Sequence, residues 1–384
     1  MIFDTVDSEF LKLIGFCRYM PTGLQRRYDA PMFTRCVISN LQEHGLIKMQ
    51  SDGSSIKLTG KGIHLLAEMG YKFAQDARID LKKPSYRRKL KNAQWNVMLY
   101  LAGIDIYFRS AKELTGINTG YMSSLTIRSD KNMRVLAGTR FLGVLKHENK
   151  SYIPYHIENA EDWIIPAYEK EIYSSQVQTI SRINEIRLIL TGETLEELWC
   201  YTHIRAESTD LKNGRKRFIN ALEEMGSEYL LIPFGQNGVV QLSTIVIAGY
   251  RDRIAKAIGC MPCTVQALSE CDGIIDNIPY IIAFDMNVKR IVRALRQIEK
   301  YNRNVVPRIC CMPFQKSTVF KLLKAYKAQK TAVITIDKDN IYNIFPELYN
   351  NEMKREPYIT REGEYLEVVE RKAAVVKNKA SEDR

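Results

Sequence analysis

Apolar side chains recur at helical spacing near the amino end of the chain. They predict a first helix, ending near Pro21, whose buried face consists of Phe10, Leu13, Ile14 and Cys17. A short second helix is predicted over residues 22–28. A third is predicted between Phe33 and Gly45, and Gly45 would supply the left-handed residue that ends it.

A hairpin and a fourth helix complete this amino-terminal pattern. Two short apolar runs, residues 47–49 and 56–58, bracket an Asp-Gly pair, which is a strong signal for a tight turn between strands. Thr59 then opens a helix that closes a small core, and residues 71–80 are expected to extend it. The pattern therefore predicts a domain over residues 1–80.

Downstream, the pattern predicts a larger α/β region. An apolar helix over residues 93–108 starts a second core. It is followed by strands at residues 125–128, 140–145, 151–158 and 198–204 and by a helix at 176–190. From residue 206 to 346, strands alternate with amphipathic helices, which favours a second α/β region. Residues 347–384 are charged and lose the periodicity, so we expect partial disorder there.

Three short motifs resemble a known type of domain. Thr34-Arg35, the Gly45-Leu46-Ile47 helix ending and residues 58–62 (Leu-Thr-Gly-Lys-Gly) resemble winged helix-turn-helix domains. Bacterial regulators of the multiple-antibiotic-resistance type have such a domain, as does the amino-terminal part of the replication-relaxation family of plasmids and conjugative elements. The resemblance covers less than a quarter of the chain and implies DNA binding. It leaves open whether the output is transcription, replication or transfer.

The resemblance also implies which side chains would contact a duplex. The third helix would enter the major groove with Thr34, Arg35 and Ser39 at base edges and Gln42 on the same face. Contacts with phosphates are expected from Arg26, Arg27 and Lys61. Contacts with the adjacent backbone or the minor groove are expected from three residues of the hairpin: Ser54, Ser55 and Lys57.

A basic segment at residues 81–92 is predicted to be a linker. Residues 82–91 hold six Lys and Arg and no acid, with Pro84 to interrupt a helix. Arg87 and Arg88 would lie along the phosphate backbone, and a charged hinge without a partner is the alternative.

The amount and distribution of charge also favour binding to nucleic acid. The 384 residues carry a formal net charge of +12, with a pI near 9.2. Residues 1–100 contain 16 Lys and Arg and 9 Asp and Glu, so more than half of the excess lies in about a quarter of the chain. A polyanionic partner is favoured over a merely solvated basic surface.

The order of elements over residues 93–205 resembles the core of PD-(D/E)xK nucleases. These enzymes hold a divalent metal with an acid at the start of the second hairpin strand and an acid-x-Lys on the next. Here Phe141-Leu142 stands where Pro-Asp would be expected, and Glu158 is followed by Asn-Ala. We therefore predict a degenerate nuclease scaffold without activity.

The second α/β region is predicted element by element. The strands are at residues 229–234, 239–247, 279–284, 307–312 and 332–336, and the helices at 215–225, 250–258, 288–301 and 317–328. The last two helices carry regularly spaced cations: Lys289, Arg290, Arg293, Arg296, Lys300, Lys321, Lys324, Lys327 and Lys330. We interpret them as solvated faces, with a flanking DNA contact as the alternative.

Carboxylates and thiols give two candidate metal sites. Asp285, Asp337 and Asp339 follow apolar strands and could hold Mg²⁺, but helix capping by Asp285 and a turn at residues 337–340 are the preferred interpretation. Of the eight cysteines, Cys260, Cys263 and Cys271 provide only half of a zinc pattern, so buried, reduced thiols are the preferred interpretation. We predict no cofactor.

The sequence lacks the motifs of several other kinds of enzyme and binding site. The sequence has no His-x-His cluster, no phosphate-binding G-x-x-x-x-G-K-[ST] loop and no G-x-S-x-G elbow. Its 21 tyrosines leave a tyrosine-type strand transferase open. The absence of a signal peptide pattern or a long apolar run favours a cytoplasmic protein without a membrane association.

The combined prediction is an α/β protein, α+β overall, with a winged helix-turn-helix followed by a larger α/β scaffold. It would be a DNA-binding protein of a plasmid or mobile element. Its partners would be double-stranded DNA, further copies of itself, and replication or conjugation proteins. The alternatives are an enzyme that cleaves or nicks nucleic acid through the α/β region and a winged-helix transcription regulator.

Overall fold

Helices and strands both contribute extensively, so the protein is of the mixed α/β class, as predicted. The structure, a computed structural model, describes residues 5–73, 75, 80–129, 139–159, 162–171, 185–203, 216–218, 220–221, 228–328, 330–348, 358–359 and 365–366. The chain divides into a first unit, Met1–Val97 with Phe345–Arg384, and a second unit, Met98–Ile344.

The first unit alternates short helices and strands. In chain order its elements are α1 (Thr5–Cys17), β1 (Met20–Pro21), 3-10 turns at Leu24–Arg26 and Pro31–Phe33, α2 (Arg35–Glu43), β2 (Ile47–Met49), β3 (Ser55–Leu58), α3 (Gly60–Glu68) and the beginning of α4 (Pro84–Leu101). The three strands form an antiparallel sheet in the order β1-β3-β2. This arrangement places a hairpin, β2 and β3, directly after α2.

A small apolar core holds these elements together. Phe10 and Leu13 of α1 and Leu41 of α2 are almost fully buried. The Phe10 and Phe33 rings meet edge to face with centroids 5.6 Å apart, so the turn before α2 is packed against α1.

Three expectations for the first unit were wrong. Residues 22–28 contain only a 3-10 turn, because Gly23 is left-handed (φ 79°) and prevents a continuous α-helix. The helix after the hairpin ends at Glu68, where Gly70 is left-handed (φ 85°), so residues 71–73 are not helical. Pro84 does not interrupt the basic segment but begins α4, because a helix tolerates proline at its first position.

The second unit begins with a five-stranded mixed sheet. Its elements are α5 (Ala111–Thr115), β4 (Thr119–Ser123), α6 (Ser124–Ser129), β5 (Gly143–His147), β6 (Lys150–His156), β7 (Trp163–Ile164), α7 (Pro166–Glu171), β8 (Glu185–Gly192), α8 (Leu195–His203), β9 (Lys216–Arg217) and β10 (Tyr229–Pro233). The sheet order is β10-β8-β6-β5-β4, in which β4, β5 and β6 are antiparallel and β6, β8 and β10 parallel. A separate short ladder joins β7 and β9.

A four-stranded sheet follows in the same unit. The elements are α9 (Gln236–Ile245), α10 (Tyr250–Ala257), β11 (Gly273–Ile275), β12 (Ile278–Ile282), α11 (Val288–Tyr301), β13 (Arg308–Cys311), α12 (Lys316–Ala325), β14 (Ala332–Thr335) and α13 (Lys338–Ile344). The strand order is β11-β12-β13-β14, with β12, β13 and β14 parallel. In the terminal segment, β15 (Tyr358–Ile359) pairs with β16 (Tyr365–Leu366).

The two sheets of the second unit share one core. Leu188 and Leu231 of the first sheet belong to the same cluster of buried side chains as Ile281 and Ile309 of the second. The predicted domain boundary between residues 205 and 206 therefore does not separate the two sheets.

Several strands and helices of this unit were predicted as the wrong type. Residues 125–128 lie in α6, 198–203 in α8 and 239–245 in α9, although each was expected to be a strand. Residues 185–190, expected in a helix, lie in strand β8. Most of the helix expected at 176–190, most of that at 215–225 and most of the charged tail lie outside the described residues.

Within the described part of the chain, no helix combines the length and the apolarity needed to cross a bilayer.

Candidate functional site

Helix α2, the central element of the predicted site, is held by contacts at both ends. At its amino end the Thr34 side-chain oxygen accepts a hydrogen bond from the Val37 amide at 3.5 Å. Asn40 donates to the Asp7 carboxylate of α1 at 2.6 Å. At the other end Gly45 is left-handed (φ 68°), and the Leu46 amide donates to the Leu41 carbonyl. Thr34, predicted at a base edge, is thus the helix cap, although it is exposed.

The outward face of α2 carries the other three predicted side chains. Arg35, Ser39 and Gln42 lie at positions i, i+4 and i+7 and are exposed. Within the described part of the chain, none of the three side chains makes a hydrogen bond or an ion pair. The face is polar, with one fixed positive charge and two groups that can both donate and accept hydrogen bonds.

The three basic residues predicted to contact phosphates near α2 differ in their surroundings. Arg26 and Arg27 are exposed on the 3-10 turn before α2. Lys61 is exposed too, but its ammonium group donates to the carbonyl of His44 at 3.0 Å. Lys61 therefore stabilises the carboxyl-terminal end of α2, where a cation is favoured by the helix dipole.

The hairpin serines do not offer their side chains to a ligand. Ser55 is completely buried, and its hydroxyl shares a hydrogen bond of 2.6 Å with the hydroxyl of Tyr86. Ser54 shares a second bond of 2.6 Å with Tyr86 and donates to Asp52 at 2.8 Å. The structure contradicts the prediction that Ser55 contacts DNA, because its side chain is completely buried and bonded to Tyr86.

Two lysines define the charged side of the hairpin. Lys57, predicted as a backbone contact, is half-buried and lies directly opposite Lys48 in the β2–β3 ladder. Directly opposed residues of an antiparallel pair lie on the same side of the sheet, so the two cations repel each other. Lys48 is exposed and was not predicted; the signal that could have identified it is the register set by the Asp-Gly turn.

The basic segment presents its cations from a helix. Tyr86 and Ala93 of α4 are buried, whereas Arg87 and Arg88 are exposed. Within the described residues, neither arginine side chain is engaged in a hydrogen bond or an ion pair. A helix holds both at fixed positions, which a hinge would not do.

The positions of the missing nuclease acids are apolar. Phe141 and Leu142, next to the start of β5, are buried, and Glu158, beyond the end of β6, is exposed. The nearby acid Asp162 accepts hydrogen bonds from the amides of Glu158 and Asn159. Among the described residues, no group of three or more His, Cys, Asp or Glu is arranged to hold a metal ion.

A polar cavity in the second unit was not predicted. It has a volume of about 250 Å³ and lies where β6, β8 and α10 meet the segment after β12. Arg251 of α10 forms a short ion pair with buried Asp285, and its Nε donates to the Tyr250 hydroxyl at 3.0 Å. Asp285, expected to be a helix cap, is instead half of this pair; Asn287 caps α11 by accepting from the Arg290 amide.

The charges in this cavity are balanced within the protein. Burial alone would raise the pKa of Asp285, but Arg251 and Arg290 hold it well below its usual range. Burial raises the pKa of Tyr152 to about 12, although Arg187 opposes the shift. At neutral pH the carboxylate is therefore ionised and paired, and the phenol is protonated. The lining groups therefore join the two sheets through polar contacts, and neither Asp285 nor Tyr152 is an exposed general base or nucleophile.

Four of the eight cysteines are buried thiols, and Cys260 and Cys263 are partly buried. Cys17, Cys271, Cys310 and Cys311 are buried, and burial raises the pKa of each to about 12. Such thiols are protonated at neutral pH and react slowly. Cys36 and Cys200 are exposed.

Comparison of the chain with known protein families, with curated proteins and with solved structures found no match in any of the three.

Proposed function

We propose that the first unit binds duplex DNA as a winged helix. The order of its elements supports the proposal: α1, β1, two turns, α2 and then a hairpin, with the sheet order β1-β3-β2. In DNA-binding domains of this type, the helix before the hairpin enters the major groove and the hairpin lies against the neighbouring backbone. In this protein helix α2 is likewise followed directly by the β2–β3 hairpin.

The proposal depends on one observation above all, the outward face of α2. Arg35, Ser39 and Gln42 are exposed together on one side, whereas Leu41 on the other side is fully buried. Arginine pairs with the O6 and N7 atoms of guanine, and glutamine pairs with adenine. The face therefore has the chemistry needed to distinguish base pairs.

Cations of the β2–β3 hairpin and of α4 are candidates for contacts with the phosphate backbone. Lys48 and Lys57 repel each other across the hairpin, and a phosphate between them would replace that repulsion with two attractions. Arg87 and Arg88 present two further charges from a helix. Such contacts contribute affinity and salt sensitivity without reading the sequence.

The biological setting remains the one implied by the sequence resemblance. On that basis the protein would recognise a specific site on a plasmid or mobile element, and the second unit would assemble replication or transfer proteins there. In the five-stranded sheet the strands follow one another in chain order, and β5 alone runs opposite to the other four. Both features support a nuclease-like scaffold. Apolar Phe141 and Leu142 support its being inactive.

Selection of duplex fragments from a random library by the full chain tests the proposal. We expect an enriched sequence, and Arg35→Ala should weaken binding to it by about 1–3 kcal/mol if Arg35 pairs with guanine. Binding to random duplex should change little, and exposed Lys256→Ala on α10 serves as the control. Failure of the chain to retain any duplex at moderate salt would contradict the proposal. Equal losses on both duplexes would reassign Arg35 to a phosphate.

A further inference from the structure

A groove in the second unit lies between the carboxyl-terminal ends of α11 and α12. These helices connect neighbouring parallel strands, β12 to β13 and β13 to β14, so both end at the same edge of the sheet. The groove has a volume of about 390 Å³. That is within the range of ligand pockets, roughly 300–1,000 Å³.

The floor of the groove is apolar and its rim is basic. Leu295, Ile298 and Pro307 are among the apolar lining residues. The lining cations are Arg296, Arg303, Lys327 and Lys330, against one acid, Glu299. A cleft lined by charges of one sign concentrates its field and attracts the opposite charge.

These rim cations differ from others on the same helix. Near the start of α11, Arg290 pairs with Asp272 at 3.0 Å and Arg293 with Glu270 at 2.8 Å. None of the four rim side chains makes an ion pair or a hydrogen bond with a described residue. The beginning of α11 is thus neutralised internally, whereas its end and the end of α12 keep an excess of positive charge.

Lys327 also occupies an unusual backbone position. Its φ is 57°, and the next amide, that of Ala328, donates to the Leu323 carbonyl at 2.8 Å. Glycine is the usual residue at this helix-ending position, and a non-glycine residue there is strained. The Lys327 side chain lines the groove despite this strain.

Exposed aromatic surface adjoins the charges. Tyr326 lines the groove and is 39% exposed. Tyr301, the last residue of α11, is 55% exposed. Surfaces that bind single strands combine a positive groove with aromatic rings on which bases stack. A duplex would use only the charges, because its bases are already stacked and could not reach the apolar floor.

We infer that this groove binds single-stranded nucleic acid, with a base against Tyr326 and the apolar floor and phosphates against the four cations. The site is separate from the duplex-binding surface proposed for the first unit. A protein with both sites would bind a duplex through one unit and an unpaired strand through the other.

Fluorescence anisotropy with labelled 15-nucleotide oligo(dT) and oligo(U) and the full chain tests the inference. The double variant Arg303→Ala/Lys330→Ala should bind at least about tenfold more weakly, with a salt slope shallower by about 1.4 for two lost phosphate contacts. The control is Lys256→Ala/Lys316→Ala, which removes two exposed cations outside the groove. Retained binding by Arg35→Ala would show that the single strand does not use the outward face of α2. A preference for one oligonucleotide identifies DNA or RNA as the natural strand.

Two further variants separate stacking and backbone strain from charge. Tyr326→Phe should retain affinity and Tyr326→Ala should lose it. Lys327→Gly should weaken binding while leaving the melting temperature equal or higher, because glycine relieves the left-handed strain. The inference is overturned if the groove and control variants bind oligo(dT) equally well, or if polyglutamate competes as effectively as the oligonucleotide.

Discussion

At the residue scale, the hydroxyl of Tyr86 connects α4 to the hairpin. Tyr86 is 2% exposed, and its hydroxyl contacts the hydroxyls of Ser54 and Ser55 at 2.6 Å each. Sequence reasoning assigned both serines to DNA because they lie in the hairpin that the family resemblance places beside a duplex. It could not identify their partner, which lies about thirty residues further along the chain.

Tyr86→Phe should lower the free energy of unfolding by about 1–3 kcal/mol, since it leaves the buried Ser55 hydroxyl without its partner. Chemical denaturation of the full chain measures this. Ser51→Ala, at an exposed position of the same turn, should change stability little. A Tyr86→Phe variant as stable as the Ser51→Ala control would show that the three hydroxyls are not coupled.

Glu169 of α7 should make stability depend on pH. It is completely buried, accepts hydrogen bonds from the Tyr155 hydroxyl and the Arg140 amide, and burial raises its pKa from 4.5 to about 6. The folded state thus binds this proton more tightly than the unfolded state. The resulting stabilisation is fully present below pH 4.5 and is lost as the pH rises through about 6.

In the wild type this titration should lower the free energy of unfolding by roughly 1 kcal/mol between pH 4.5 and 6, and Glu169→Gln should abolish that decrease. Denaturation curves of both proteins at pH 4.5, 5.2, 6 and 7, chosen about the two pKa values, give the difference. Parallel pH profiles for the two proteins would exclude Glu169 as the titrating group.

At the scale of elements, prediction succeeded where one face of a helix differs from the other. Helix α11 has the bounds predicted for it, because its apolar and basic positions alternate with helical period and Asn287 caps it. Helix α9 was predicted as a strand because both of its faces are largely buried, including Gln241 and Thr244, whose side chains donate to nearby carbonyls. A continuous apolar run has no period that identifies its type.

Helix α3 supports the hairpin through a close approach at Gly62. A Cβ atom there would lie 2.2 Å from the Leu46 carbonyl oxygen, whereas one at Gly60 would meet nothing within 4 Å. Gly62→Ala should destabilise the protein by about 1–3 kcal/mol. Gly60→Ala, at the first position of α3, should leave the stability unchanged or raise it by less than about 0.5 kcal/mol. Thermal denaturation of the pair tests the packing of α3; similar melting temperatures would contradict it.

Helix α4 should contribute to duplex binding through charge alone. Arg87→Ala/Arg88→Ala should make the logarithmic dependence of duplex affinity on salt shallower by about 1.8, the value for two released phosphate contacts. The control Lys256→Ala/Lys316→Ala removes the same charge from the second unit. An identical slope for the wild type and the Arg87/Arg88 variant would show that these arginines do not contact the backbone.

At the scale of the whole molecule, the two candidate interfaces differ in how far sequence reveals them. The face of α2 comes from one continuous segment, so helical spacing placed Arg35, Ser39 and Gln42 on one side, and the family resemblance implied their role. The polar cavity brings Tyr152, Arg251 and Asp285 together from three distant segments, and the groove joins the ends of two helices. Neither could be predicted, because strand order in the sheets decides which segments become neighbours.

Positive charge is concentrated in two places, one in each unit, which supports two separate binding sites for nucleic acid. The first hundred residues carry an excess of seven cations over acids, and the groove carries another concentration on the second unit. We propose that the first unit selects a duplex site and the second engages a single strand. The central claim is the first of these, that α2 lies against DNA.

Two native cysteines allow that claim to be tested without any substitution. Cys36 is exposed on α2 beside Arg35, and Cys200 is exposed on α8 of the second unit. The measurement is the alkylation rate of each thiol in the full chain, with and without a saturating selected duplex. Our account predicts that the duplex slows alkylation of Cys36 several-fold and leaves Cys200 unchanged. An unchanged rate at Cys36 with the duplex bound would contradict it.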